Sequence, residues 1–197
     1  VWIARQVYIG LGGTVALGNY SVLTASAITI ATGAVFDVSA GAEGFALQTN
    51  KVLSGSGTVK GRLVIDGGTS VAFAASGGLT LEGPLAVNAG GALRGDGAPG
   101  TAVVIHAGVT QLTLKGTTLI EWSKSGATPT NNTVQGATNL IYGGTLELTN
   151  VGSTPLAAGD TLRLFNAANY AGTFDIIRPA TPGPGLRWDT RRLTVEG

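Results

Sequence analysis

The sequence predicts an all-β chain, a parallel β-solenoid with a C-terminal β-rich cap. Three observations carry this. Glycine supplies 32 of 197 residues, more than twice the usual ~7%. Apolar residues come in short runs that alternate with small or polar ones, each run closed by Gly, Asn, Asp or Ser. The runs recur at a loose period of roughly 18–24 residues, which suits coils stacked on one another.

The pattern is clearest in Val52–Ala75, VLSGSGTVKGRLVIDGGTSVAFAA. Two β-type runs, Gly57–Val59 and Arg62–Asp66, lie between glycine turns, and a third starts at Ser70. Gly55, Gly57, Gly61, Gly67 and Gly68 interrupt every possible helical turn. The same texture gives short strands at Thr14–Leu17, Ala27–Ile30, Val35–Val38, Phe45–Leu47, Leu79–Leu81, Leu85–Val87, Ala92–Arg94, Val103–Ile105 and Leu112–Leu114. Type I′ hairpin dipeptides are scarce, with Asp66-Gly67 and Asp96-Gly97 as the candidates. A single coil cannot bury its inward residues alone. Stacking aligns Val, Leu, Ile and Phe of successive coils and gives each backbone N–H a carbonyl ~4.8 Å away.

Residues 1–11 differ from this texture. VWIARQVYIGL alternates Val1, Ile3, Val7 and Ile9 on one side, with Trp2, Gln6 and Tyr8 on the other, and has no glycine before Gly10. They form an N-terminal extended strand, followed by solenoid repeats over 12–115 and a β cap over 116–197, continuous with the solenoid. In the cap, longer strands are expected at Thr118–Trp122, Asn139–Tyr142, Thr145–Asn150, Thr161–Phe165, Thr173–Ile177 and Arg191–Val195. A polar, turn-rich segment is expected at Ser123–Asn132, and a single helical turn at Asn166–Tyr170. The aromatics Trp122, Tyr142, Phe165, Tyr170, Phe174 and Trp188 form its expected core, because the last coil otherwise leaves apolar residues and strand edges uncovered.

Composition narrows function. Charged residues make up only 12% against 44% hydrophobic, which disfavours disorder. With 12 basic and 11 acidic residues and no basic run, no nucleic-acid partner is expected. Cysteine is absent, which removes disulfides and thiolate metal sites. Methionine is absent too, so the chain reads as a processed product or fragment. No apolar run approaches the ~18 residues of a membrane span.

Candidate chemistry is thin. Asp66, Glu82 and Asp96 each precede glycine, and stacked on successive coils they could form a carboxylate column, with Arg62 and Arg94 near in sequence. Enzymatic work would need two carboxylates at a set separation or a Ca²⁺ cage; acidic residues before glycine are also ordinary turn chemistry, and that reading is preferred. His106, the single histidine, has no partner for a triad or zinc site. Gly10–Gly13 and Gly95–Gly100 lack the sequel of a phosphate loop. Asn19-Tyr20-Ser21 and Asn131-Asn132-Thr133 fit the glycosylation acceptor pattern, as chance allows in such a chain. Arg187, Arg191 and Arg192 beside Trp188 could grip an acidic polymer or headgroup, but are expected on the exposed edge of the last strand, where charge discourages pairing.

The segments NLIYGGTLELTNVG, LAAGDTLRLFNAANYAGTFDII and GLRWDTRRLTVEG in Asn139–Gly197 resemble the C-terminal module of bacterial autotransporter-associated β-strand repeat proteins. The pattern opens at Tyr142–Asn150, turns at Ala158–Asp160, continues through Leu164–Phe165, Tyr170, Gly172 and Phe174, and closes at Gly185–Asp189 with Leu193. LSGSGTV at Leu53–Val59 is similar as well, so the resemblance spans Thr29 to Gly197. It departs at Phe73–Ser76, where the family often has an Ala-Pro-Gly turn. The resemblance implies secreted or surface proteins with structural and adhesive roles and carries no catalytic residue across.

The expected function is that of a non-enzymatic extracellular or bacterial cell-surface structural protein, a filament or surface-fibre subunit joined head-to-tail by β-strand contacts. Its partners would be copies of itself, with surface polysaccharide as a further candidate, and it would need no cofactor. Val1, Trp2, Ile3, Val7, Tyr8 and Ile9 would form the assembly interface, by strand exchange between subunits or, alternatively, by covering their own first coil. The competing readings are an adhesin stalk and a β-helix polysaccharide lyase or hydrolase.

Overall fold

A computed structural model describes residues 5–19, 23–67, 70–71, 79–94, 99–100, 102–105 and 111–197. Among these the chain is all-β, without a helix, and its parallel strands stack as a β-solenoid. Three ladders of strands form three faces. The first runs through Gln6–Ile9, Ala27–Ile30, Val52–Gly55, Ser70–Val71, Ala92–Arg94, Thr117–Ser125, Thr145–Asn150 and Ile176–Arg178. The second takes Thr14–Ala16, Val35–Asp37, Thr58–Lys60, Thr80–Glu82 and Ala102–Ile105. The third takes Phe45–Leu47, Leu63–Ile65, Leu85–Val87 and Gln111–Leu114. The long strand Thr133–Tyr142 joins the second and third faces, pairing with Ala102–Val104 through its first half and with Gln111–Leu114 through its second. Phe165–Gly172 lies along both halves, with an irregularity between Gln135 and Ala137 where Gly136 takes positive φ.

Register turns the apolar alternation into columns. On the third face Phe45, Leu63, Leu85, Leu112, Leu140 and Tyr170 align, as do Leu47, Ile65, Val87, Leu114 and Tyr142. On the first, Ile28 and Leu53 align, as do Leu93, Thr118 and Leu146, all buried. Each buried side chain therefore meets its counterpart one strand spacing above and below, and the core is a stack of such layers.

The corners decide which residues the sequence must supply. At the corner leading into the first face, the Gly91 carbonyl accepts from Thr117 N–H and the Gly116 carbonyl from Thr145 N–H. A Cβ on Gly116 would lie 2.2 Å from the Gly91 carbonyl oxygen, and one on Gly144 would lie 2.2 Å from that of Gly116. At the corner between second and third faces, a Cβ on Gly83 would lie 2.0 Å from the Gly61 oxygen. Glycine is required at these points by close approach of successive coils, beyond any preference for turns.

Coil length varies between 18 and 25 residues in the first coils and is greatest in the last. Paired groups are 21 residues apart at Arg5–Ser26, 25 at Thr29–Ser54 and 22 at Asp66–Asn88, then 30 at Asn139–Asn169 and 31 at Gly144–Asp175. The later coils exceed the expected period because they carry longer strands and two additions. One addition is an antiparallel hairpin, in which Thr128–Asn131 folds back on Trp122–Ser125; it occupies the segment expected to be turn-rich. The other is the excursion 151–164 before Phe165.

Four expected elements differ. Of Thr173–Ile177 only Ile176 and Ile177 are strand, in Ile176–Arg178. Asn166–Tyr170 is strand, not a helical turn, because the open edge of Thr133–Tyr142 gives its backbone parallel partners. Thr161–Leu164 is irregular, and the strand begins only at Phe165. Arg191–Val195 forms turns, with Leu193 N–H donating to Thr190 and Val195 N–H to Arg192 carbonyls. Local pairs, Arg191 to Asp189 and Arg192 to Glu196, favour that compact path over an extended one.

Thr118 Oγ1 and Trp122 Nε1 are buried without a protein hydrogen-bond partner among the described residues. An unmet buried polar group costs about 1–3 kcal/mol. Thr118→Val, which keeps the shape and removes the hydroxyl, should therefore leave stability unchanged or raise it in urea unfolding. Gly116→Ala should lower stability by roughly 1–3 kcal/mol or more through forced backbone displacement, whereas Gly67→Ala, with its nearest neighbour at 3.4 Å, should cost much less. Equal costs for the two glycines would contradict the corner geometry.

Candidate functional site

Of the acidic residues singled out in the sequence, Asp66 and Glu82 do not converge. Asp66 follows the third-face strand Leu63–Ile65 and accepts a hydrogen bond from Asn88 Nδ2 at 2.8 Å, one coil on. Glu82 ends the second-face strand Thr80–Glu82, in register with Lys60 and with Asp37 beyond it. Lys60 Nζ lies 3.9 Å from Glu82, and the Asp37 carboxyl is held below the usual range, chiefly by the Ser39 hydroxyl at 2.6 Å and then its backbone N–H. Asp37, Lys60 and Glu82 thus form an outward charge ladder of alternating sign. Asp96 and His106 lie outside the described residues. Arg62 sits after the Gly61 corner, its carbonyl accepting from Phe45 N–H, and Arg94 ends a first-face strand with its side chain exposed. Among the described residues no three His, Cys, Asp or Glu side chains group as metal ligands.

The two ends of the stack are the distinctive surfaces. At the N-terminal end, Gln6–Ile9 is the terminal rung of the first face, paired on one edge with Ala27–Ile30 of its own chain. Ile9 is buried and Val7 packs partly against the core, while Tyr8 is 70% and Leu11 82% exposed. Val1, Trp2 and Ile3 lie outside the described residues. The described part of this strand therefore covers its own first coil, and its outer edge has no strand partner among the described residues.

At the C-terminal end, Tyr142 is the hub of an aromatic cluster. Its ring centroid lies 5.2 Å from Phe165, 6.1 Å from Tyr170 and 5.0 Å from Phe174. Burial pushes its phenol pKa far up, so it stays a neutral donor, and its hydroxyl donates to the Leu193 carbonyl at 2.9 Å. Trp122 is buried on the first face. Trp188 is half-buried, and its Nε1 donates to the Pro179 carbonyl. Residues 179–197 pass over this end without strand structure and, with the excursion residues 156–164 and the strand Thr145–Asn150, line an open pocket of about 740 Å³. Leu186, Trp188 and Leu193 line one side of it, and Leu146, Leu148 and Leu164 the other.

The arginine cluster is not on a strand edge, because no strand forms there. Arg191 clasps Asp189 through Nε at 2.9 Å and Nη2 at 2.6 Å, which drives the Asp189 carboxyl well below its ordinary range. Arg192 pairs with Glu196, and Arg187 lines the pocket. Two of the three cations are thus matched locally. Sequence reasoning missed Lys124–Asp160. Lys124 Nζ lies 2.6 Å from Asp160 Oδ2, the side chains only 9% and 11% exposed, and Asp160 also accepts from Ala157 N–H. The pair ties the excursion 151–164 to the hairpin. Thirty-six residues separate them, and no local pattern connects them.

No family model, no curated protein and no solved structure matches the chain.

The Lys124 ammonium, then Ala157 N–H, holds the Asp160 carboxyl below its ordinary range. That contribution is complete above the unfolded aspartate value, ~3.9, and is lost as pH falls through the lower folded value. Asp160→Asn should therefore lower Tm at pH 7 and equally at pH 5, with the gap to the native chain closing below pH ~3.9. A gap that widens on acidification would contradict the pairing.

Proposed function

We propose that the chain is a non-enzymatic structural protein of the extracellular space or bacterial surface, a solenoid unit of a fibre or stalk that joins copies of itself head-to-tail through strand edges. The observation that carries this reading is the terminal rung Gln6–Ile9, whose outer edge lacks a strand partner among the described residues and which presents Tyr8 to solvent. An edge strand offers a row of backbone donors and acceptors to another chain. A heterologous contact of this kind gives filaments when its rotation does not close a ring. The low charge of the chain, 12% of residues with net +1, leaves little repulsion to oppose it. The resemblance of Asn139–Gly197 to surface repeat proteins supports the location.

The non-enzymatic reading draws on the separation of Asp66 and Glu82 onto different faces, each with its own partner. Asp66→Asn, Glu82→Gln and Asp96→Asn together should leave function intact; release of reducing or unsaturated sugars by the native protein, lost in that variant, would reverse the assignment.

Electron microscopy of purified protein should show fibres, and deletion of Val1–Ile9 should abolish or alter them. Native protein that stays monomeric at high concentration, or unchanged fibres after the deletion, would overturn the proposal.

A further inference from the structure

We propose that the open pocket at the C-terminal end of the stack binds a single-chain amphiphile of the fatty-acid class, its alkyl chain on the leucines of the last coil and its carboxylate on Arg163 and Arg187. The proposal does not depend on head-to-tail assembly. It starts from a break in the core. Along the first face inward residues are covered by their counterparts in the next coil, Thr118 by Leu146 and Leu146 by Ile177. Ile120 is covered in the same way by Leu148. The pairing of Thr145–Asn150 with Ile176–Arg178, however, stops at Glu147. Leu148 therefore has no strand partner in the next coil, and the core layer that would cover it is missing. Leu148 lines the pocket of about 740 Å³ instead, a size within the roughly 300–1,000 Å³ that small ligands occupy. Leu148, Leu156 and Leu164 on its wall keep 6%, 8% and 5% exposure, where Leu47, Ile65 and Leu114 of the closed layers keep 0%.

The walls are held in place. On one side Trp188 and Leu193 pack against the core, the Leu193 carbonyl accepts from the Tyr142 hydroxyl, and Trp188 Nε1 donates to the Pro179 carbonyl. On the other, Lys124 grips Asp160 of the excursion. A pocket held on both sides admits a chain without first being ordered, which favours binding.

Charge selects the head group. Asp160, Asp189 and Glu196 line the pocket, as do Arg163, Arg187 and Arg192. Each acid is already matched, Asp160 by Lys124, Asp189 by Arg191 and Glu196 by Arg192. Arg163 donates to the neutral Asn166 amide oxygen at 3.3 Å. Arg187 acts on Asp189 through space and forms no ion pair among the described residues. Two exposed guanidinium groups thus stand without a carboxylate beside a leucine-lined space. The guanidinium fork matches a carboxylate through two parallel hydrogen bonds. An alkyl chain brings no polar group that the leucines would leave unpaired, whereas a sugar would.

Isothermal titration calorimetry of the full chain with decanoate, below its micelle concentration, tests this. Decanoate should bind with a Kd of about 0.1 mM or tighter. Octanoate, shorter by two CH₂ groups, should bind about ten-fold more weakly. Arg163→Gln with Arg187→Gln, both at exposed side chains, should weaken decanoate about ten-fold and leave decanol binding unchanged. Location is read by ω-bromodecanoate, whose bromine should quench tryptophan emission more strongly in the native chain than in Trp188→Phe. Four results would each overturn the proposal: no binding of decanoate to the native chain, decanol or decyltrimethylammonium bound as tightly as decanoate, an unchanged decanoate affinity in the double arginine variant, or equal quenching with and without Trp188.

Discussion

The structure depends on hydrogen bonding between coils. Most strands of the stack are short, many only three residues, and none could persist alone in water. Each becomes stable because its N–H and C=O groups meet those of the coil before and the coil after, at one strand spacing. That requirement reaches the corners too. The carbonyls of Gly91, Gly116 and Gly144 receive the N–H groups of Thr117, Thr145 and Asp175 from the following coil. Backbones come so close there that Gly116 and Gly144 cannot carry a side chain. The abundance of glycine in the sequence is in part a consequence of this approach.

The same constraint shapes the ends. A ladder with no chemical stop must be stopped by something that is not a strand. At the C-terminal end the chain lengthens its coils, gathers Tyr142, Phe165, Tyr170 and Phe174 into one cluster, and lays an irregular segment across the last rungs. At the N-terminal end the first described rung, Gln6–Ile9, is an ordinary strand. Lys124 and Asp160 add a different kind of tie, a nearly buried ion pair that fixes the 151–164 excursion to the hairpin.

Much of the fold was legible because the solenoid writes itself locally. Alternation in Leu63–Ile65 or Leu85–Val87 sets the inward side chains, and the glycines after them set the corners. What was not legible depended on partners far along the chain. Asn166–Tyr170 carries small polar residues that suit a turn, and only the open edge of Thr133–Tyr142 makes it strand. Arg191–Val195 alternates like a strand, yet it forms turns, with Leu193 and Val195 N–H groups bonded to the Thr190 and Arg192 carbonyls. At the candidate surfaces, the exposure of Tyr8 and the burial of Ile9 follow from alternation. The fastening of Leu193 by Tyr142, 51 residues apart, follows from no pattern in the sequence.

Engineered disulfides test the in-register parallel stack, since the chain has no cysteine of its own. Ala86 and Thr113 are register partners on adjacent third-face strands, at a spacing of ~4.8 Å that a disulfide spans. Gln111, two residues along the same strand, lies diagonal to Ala86 at about 8 Å, beyond the ~7 Å limit for bridging. Ala86→Cys with Thr113→Cys should oxidise readily to an intramolecular disulfide without loss of structure, and Ala86→Cys with Gln111→Cys should not. Preferential bridging of the second pair, or of neither, would contradict the stack.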